Sequence, residues 1–163
     1  MNLTQNLINW DERLLLGIPV IDNQHRELIT IVNRLHELSD EDHEYTGYMF
    51  LHSAYATVDF MRYHFNTEEK LMKLLDYPDT VEHKNEHEKF LTEILGKSDK
   101  FYDEREIVPR RFTIFLKDWI RSHFLDYDIK LAEYVLNRRQ KDPIETMPVE
   151  MPAGRPQPVP LFS

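Results

Sequence analysis

Apolar residues recur at three- and four-residue intervals in four separate stretches of the chain, the period of a helix with one buried face. The first stretch runs from Asp22, read as an N-cap, to Ser39, with Leu28, Ile29, Val32 and Leu35 on one side. The second spans Tyr48 to Leu75 and turns Phe60, Met61, Leu71, Met72 and Leu75 inward. Tyr77-Pro78-Asp79 stops it, because proline cannot continue the helical ladder. The third covers Thr80 to Phe101, with Phe90, Leu91 and Ile94 inward. The fourth, Arg110 to Arg138, carries a broad stripe of Phe112, Phe115, Trp119, Ile120, Leu131 and Tyr134.

Between these stretches lie the polar loop SDEDHEYTG and a second polar link from Asp103 to Pro109. Residues 1–20 read as an irregular arm closed by Gly17 and Pro19. Long helices on short links predict an all-α fold, an up-down-up-down antiparallel four-helix bundle. From Lys141 the periodicity ends, and six of the nine prolines lie between Pro143 and Pro160. The chain therefore divides into a bundle, residues 1–140, and a Pro-rich tail, residues 141–163, expected to have no fixed fold. As a linker, a partner-binding segment or a frayed end, the tail is equally readable.

Composition narrows the chemistry. No cysteine is present, which excludes disulfides, thiolate metal sites and a thiol nucleophile. A net charge of −9 without a basic block argues against nucleic acid as a partner. No run approaches the roughly 18 apolar residues of a membrane span. The opening MNLTQNLINWDERLLLG lacks the basic segment and apolar run of a secretory signal, so a cytoplasmic location is expected. The unusual feature is eight histidines in 163 residues.

Their spacing is more telling than their number. Residues four apart share a helix face. His64 and Glu68 have that spacing in the second helix, and His83 and His87 in the third; both pairs extend apolar stripes. His25 lies on the face of Leu28, Ile29 and Val32, and His123 is one turn beyond Trp119 and Ile120. A lone inward histidine is ordinarily a satisfied core residue. Five of them from four helices, with Glu68 and Asp128, would cost kilocalories per group if buried without partners. Metal ions remove that cost, and five nitrogens with two carboxylates exceed a structural zinc site and suit two iron ions. Asp128 is awkward: five residues from His123 is about 140° round an ideal helix. A wide π-type turn between the two would bring them together; Asp126 is the weaker alternative. His36 is expected in the core, His43 in solvent, and His52 has no metal role.

The segments DNQHREL, RYHFNTEEKLM, EHKNEHEKF and FLKDWIRSHFLDYD resemble the ligand segments of the hemerythrins, in particular the bacterial branch with its long first and third loops. The resemblance runs from about residue 8 to 136. It implies that His83, His87 and His123 bind one iron and that His25 and His64 bind the other. Glu68 and Asp128 would bridge the pair beside an oxo or hydroxo group, leaving one position open for reversible O₂ binding. Trp119 and Ile120 are the candidate walls of the O₂ pocket. The implied protein is an O₂ binder for storage, delivery or supply, not an enzyme. Rival readings are an O₂ or redox sensor acting through a partner, a di-iron oxidase and a nitric-oxide-handling protein. The carboxylate-rich oxidase sites use Glu-x-x-His, which this chain lacks. HKNEH lacks the glutamate of zinc-hydrolase HExxH.

Overall fold

The structure, a computed structural model, describes residues 6–39, 44–104 and 109–141. A short 3₁₀ turn, Glu12–Leu14, is followed by α1 (Pro19–Ser39), α2 (Glu44–Leu74), α3 (Thr80–Glu104) and α4 (Pro109–His123). A π-helical turn, Phe124–Asp128, joins α4 to α5 (Ile129–Lys141), and these three segments form the fourth rod of the bundle. α1 packs on α2 and α4, and α2 on α3. The predicted four-helix bundle is the fold observed. No described helix is long and apolar enough to cross a membrane.

The ends of the helices correct several expected boundaries. α1 starts at Pro19, whose fixed φ and missing N–H suit a first helical position. Asp22 is therefore inside the first turn and is not the N-cap. Its buried carboxylate reaches back to accept the backbone N–H groups of Leu16 (2.7 Å) and Gly17 (3.1 Å), bracing the arm against the helix. α2 begins at Glu44, one turn before the expected Tyr48. It ends in a Schellman arrangement: the N–H of Tyr77 donates to Met72 O at 2.9 Å, with Asp76 left-handed at φ 51°. Tyr134 and Arg138 of α5 donate to the carbonyl of Leu75 at 3.0 and 2.7 Å. The loop residues 40–43, which include His43, the link 105–108 and the tail 142–163 lie outside the described residues.

Two apolar clusters fill the interior. One gathers Leu28, Val32, Leu35, Phe50, Met61, Phe90, Ile94, Leu116 and Ile120 among others. The second joins Ile18, Ile21, Leu71, Met72, Leu131 and Val135. Each such side chain stabilises the fold by roughly 1.5–3 kcal/mol on burial. Of the expected inward residues, Leu91, Phe115, Trp119 and Tyr134 are only half-buried. They lie at the border of a helix face, where a stripe meets solvent. The second cluster's α1, α2 and α5 residues adjoin His25, Glu68 and Asp128 in sequence, so both clusters border one polar centre.

Candidate metal centre

All seven residues singled out in the sequence converge inside the bundle, each with 2% exposure or less. α1 supplies His25, α2 supplies His64 and Glu68, α3 supplies His83 and His87, α4 supplies His123, and the π turn supplies Asp128. The wide turn predicted between His123 and Asp128 is present as Phe124–Asp128. It brings Asp128 Oδ1 to 3.1 Å from His123 Nε2. Asp126, the alternative, is exposed and accepts a hydrogen bond from Ser122 Oγ at 2.8 Å.

The side chains fall into two groups of possible donors: Glu68, His83, His87 and His123, and His25, His64, Glu68 and Asp128. Each carboxylate divides its oxygens between the two sides. Glu68 Oε2 lies 3.2 Å from His87 and 3.6 Å from His83, while Oε1 lies 3.7 Å from His64. Asp128 Oδ1 lies 3.2 Å from His83, while Oδ2 lies 3.3 Å from His25. Neither carboxylate has a hydrogen bond on either oxygen, and His25 Nε2 and His64 Nε2 also lack one. Lone pairs thus face one another without aligned protons between them, an arrangement that costs about 1–3 kcal/mol per unpaired group.

A pair of metal ions answers this arrangement chemically. The Nε2 atoms of His83 and His123 are 3.2 Å apart, and those of His87 and His123 are 3.1 Å apart. Donors at right angles round one ion, each about 2.1 Å from it, would be about 3.0 Å apart. The donor set therefore fits metal ions, with Glu68 a possible donor in both groups.

Electrostatics differ between the two sides. Burial drives His64 down to about 4, against the pull of Glu68. Burial opposes protonation at His83 and His123 as well. There the carboxylates of Asp128 and Glu68 outweigh it, holding His83 up at about 9 and His123 at about 10. Burial would raise both carboxyls, yet the surrounding histidines hold Glu68 and Asp128 well below the usual carboxylate range.

Aromatic rings wall the centre. Phe124 stacks on His25 at 3.5 Å between centroids, Phe65 stacks on His87 at 3.9 Å, and Trp119 stacks on His123 at 4.4 Å. Trp119 thus covers the three-histidine side. Ile120 instead lines a cavity of about 270 Å³ together with Ile29, Phe124 and residues of the N-terminal arm. Of the remaining histidines, His36 is buried with Nδ1 2.8 Å from Thr113 Oγ1, as a core histidine should be. His52 is exposed.

Sequence reasoning overlooked the residues behind the histidines. His64 Nδ1–H donates to Gln24 Oε1 at 3.0 Å, and the Gln24 amide donates to Thr67 Oγ1 at 3.0 Å. His87 Nδ1–H donates to Glu69 Oε1 at 3.3 Å. Gln24 and Glu69 each adjoin a singled-out residue, His25 and Glu68, and that adjacency was the one available signal.

Comparison with known proteins agrees with this geometry. Residues 16–135 match the family described as hemerythrin HHE cation binding domain. A bacteriohemerythrin of Stenotrophomonas maltophilia is 30% identical over 129 residues, covering 79% of this chain and 82% of that protein. One from Clostridium acetobutylicum is 28% identical, covering 77% and 97%. A hemerythrin-like protein of Naegleria gruberi is 29% identical over 122 residues, covering 75% and 88%. A crystal structure of wild-type hemerythrin superposes with a TM-score of 0.73 at 25% identity, covering 79% of this chain and 98% of that one. With the match spanning most of the bundle, the chain belongs to the hemerythrin family, in its bacterial branch.

Proposed function

We propose that this bundle holds a non-haem di-iron centre and binds O₂ there reversibly, as a binding protein and not as an enzyme. His83, His87 and His123 would hold one iron, His25 and His64 the other, with Glu68 and Asp128 bridging. The observation that carries the reading is the division of each carboxylate's oxygens between a group of three histidines and a group of two. Two irons so held would supply the electron pair that reversible O₂ binding requires.

The protein's own share of the work is positioning and exclusion. The 3:2 split of histidines would leave the His25–His64 side short of one protein donor, the position a small ligand would take. His64 is fixed by Gln24, so its Nε2 lone pair faces the centre. Phe124, stacked on His25 and edge-on to His64 at 6.1 Å, gives that side an aromatic cover, and Phe124 and Ile120 share a cavity that Asp11, Arg13, Lys117 and Arg121 also line. The Phe124 ring, which carries no proton donor, would keep water and protons from that side. The role proposed for Ile120 is thus shared with Phe124, whereas Trp119 backs the opposite group.

The test is an iron count with optical spectra of the protein reduced anaerobically and then exposed to air. About two irons per chain, with a visible charge-transfer band that appears in air and fades on deoxygenation, is the expected result. Two irons with immediate conversion to a stable oxidised form would move the function to redox sensing or oxidase chemistry. No iron would refute the centre itself.

A further inference from the structure

His64 and His87 each have a partner at the nitrogen that faces away from the centre, and the two partners differ in charge. Behind His64 is the neutral amide of Gln24. Behind His87 is the carboxylate of Glu69, whose second oxygen, Oε2, lies 2.9 Å from Lys84 Nζ. The His87 side chain is 1% exposed, Glu69 28% and Lys84 42%. A line of three groups therefore runs from solvent to the interior: ammonium, carboxylate, imidazole.

Helix geometry explains the placement. Glu69 follows Glu68 on α2, and Lys84 follows His83 on α3. One residue is about 100° round a helix, so each points out along the α2–α3 seam while its neighbour points in. The seam brings the two together on the outer edge of His87.

A carboxylate accepting the Nδ1 proton holds an imidazole in the tautomer whose Nε2 lone pair is free. It also makes that nitrogen a stronger donor, whereas a neutral amide adds much less. An ammonium on the same carboxylate withdraws part of that effect. We infer that Glu69 and Lys84 are a pair of positioning residues that set the donor strength of His87, Glu69 raising it and Lys84 moderating it. The pair thereby fixes the redox poise of the three-histidine side. The inference rests on the di-iron reading above. The alternative is an ordinary ion pair that ties α2 to α3, which predicts lost stability when either partner is removed and no shift in potential.

The test uses the full chain loaded with iron, in four forms: wild type, Glu69→Gln, Lys84→Met and the double variant. Iron retained against a chelator and the midpoint potential by spectroelectrochemistry are the readouts. Glu69→Gln keeps an acceptor for Nδ1–H but removes the charge, so the potential should rise. Iron affinity should fall by about 10-fold, the lower end of the usual effect of such partners. Lys84→Met should lower the potential with iron retained. The double variant should match Glu69→Gln alone, since Lys84 acts only through Glu69. Shifts of the same sign, or a Lys84→Met effect that persists without the Glu69 charge, would overturn the inference. If Glu69→Gln does not fold, Glu69→Ala takes its place in the single and double variants, so that Lys84→Met is still read with and without the Glu69 charge. A wild type without iron would overturn the di-iron reading and this inference together. A normal iron count with unmoved potentials would overturn the inference only.

Discussion

The π turn at Phe124–Asp128 makes a quantitative prediction about deletion of a single residue. In an α-helix, residues five apart differ by about 140° in direction, and residues four apart by only about 40°. The π turn uses five residues where an α turn would use four, so it behaves as one inserted residue. Deleting Asp126 should let the turn relax to α geometry. The Asp128 carboxylate would then be four residues from His123 and still face it. Leu131, Ala132 and Val135, each 2% exposed or less, would stay in the core. The loss is confined to an exposed hydrogen bond from Ser122, roughly 1 kcal/mol. Deleting Lys130 instead leaves the π turn in place and rotates everything after it by about 100°. That exchange would cost about 3–6 kcal/mol for Leu131 and Val135 alone, at roughly 1.5–3 kcal/mol each. Against a total stability of about 5–15 kcal/mol, the control should be near unfolding. Thermal melts followed by far-UV circular dichroism, together with an iron count, compare the two. The Asp126 deletion is expected to keep its iron and melt well above the Lys130 deletion. Equal collapse of both, or loss of iron from the Asp126 deletion with the fold intact, would refute the view that the turn is an absorbed insertion.

Four further outcomes follow from the same geometry. Loading metal at pH 7 should release protons from His83 and His123 but not from His64, beyond any released by a metal-bound water, and calorimetry in buffers of differing ionisation enthalpy on wild type and His64→Gln checks this. The sign for the metal-free chain is set by the same raised values. The two imidazolium contacts stabilise it fully below about pH 6.5 and lose that effect as pH rises through about 9 and 10, which a denaturation series against pH would detect. Asp76→Gly should raise stability by up to about 1 kcal/mol, since a non-glycine residue is held at φ 51° in the α2 cap; an unchanged or lowered denaturation midpoint would contradict it. Phe124→Ala should cost about 3–5 kcal/mol. The milder Phe124→Leu should hasten oxidation of the reduced protein in air, and an unchanged rate would remove Phe124 from the wall proposed beside His25.

What could be read from the sequence was whatever a single helix dictates. The four apolar stripes located the bundle, because burial requires a continuous face whichever helices lie opposite. The spacing in HFNTE and HKNEH put His64 with Glu68, and His83 with His87, on inward faces by the same rule. Even the π turn was legible, as a conflict: His123 and Asp128 could not both face inward on a regular helix. What stayed hidden depends on how helices meet. Glu69 reads as a solvated residue until α3 brings His87 and Lys84 against it. Gln24 reads as an exposed neighbour of His25 until α2 places His64 and Thr67 beside it. Phe124 follows His123 and is turned about 100° from that ligand, so its own helix does not show what it faces. The packing of α1 against α4 puts His25 under its ring instead. A helix's own periodicity thus identifies the residues that can face the centre. The groups that hold those residues in place, and so tune them, become visible only once the crossing of two helices is known.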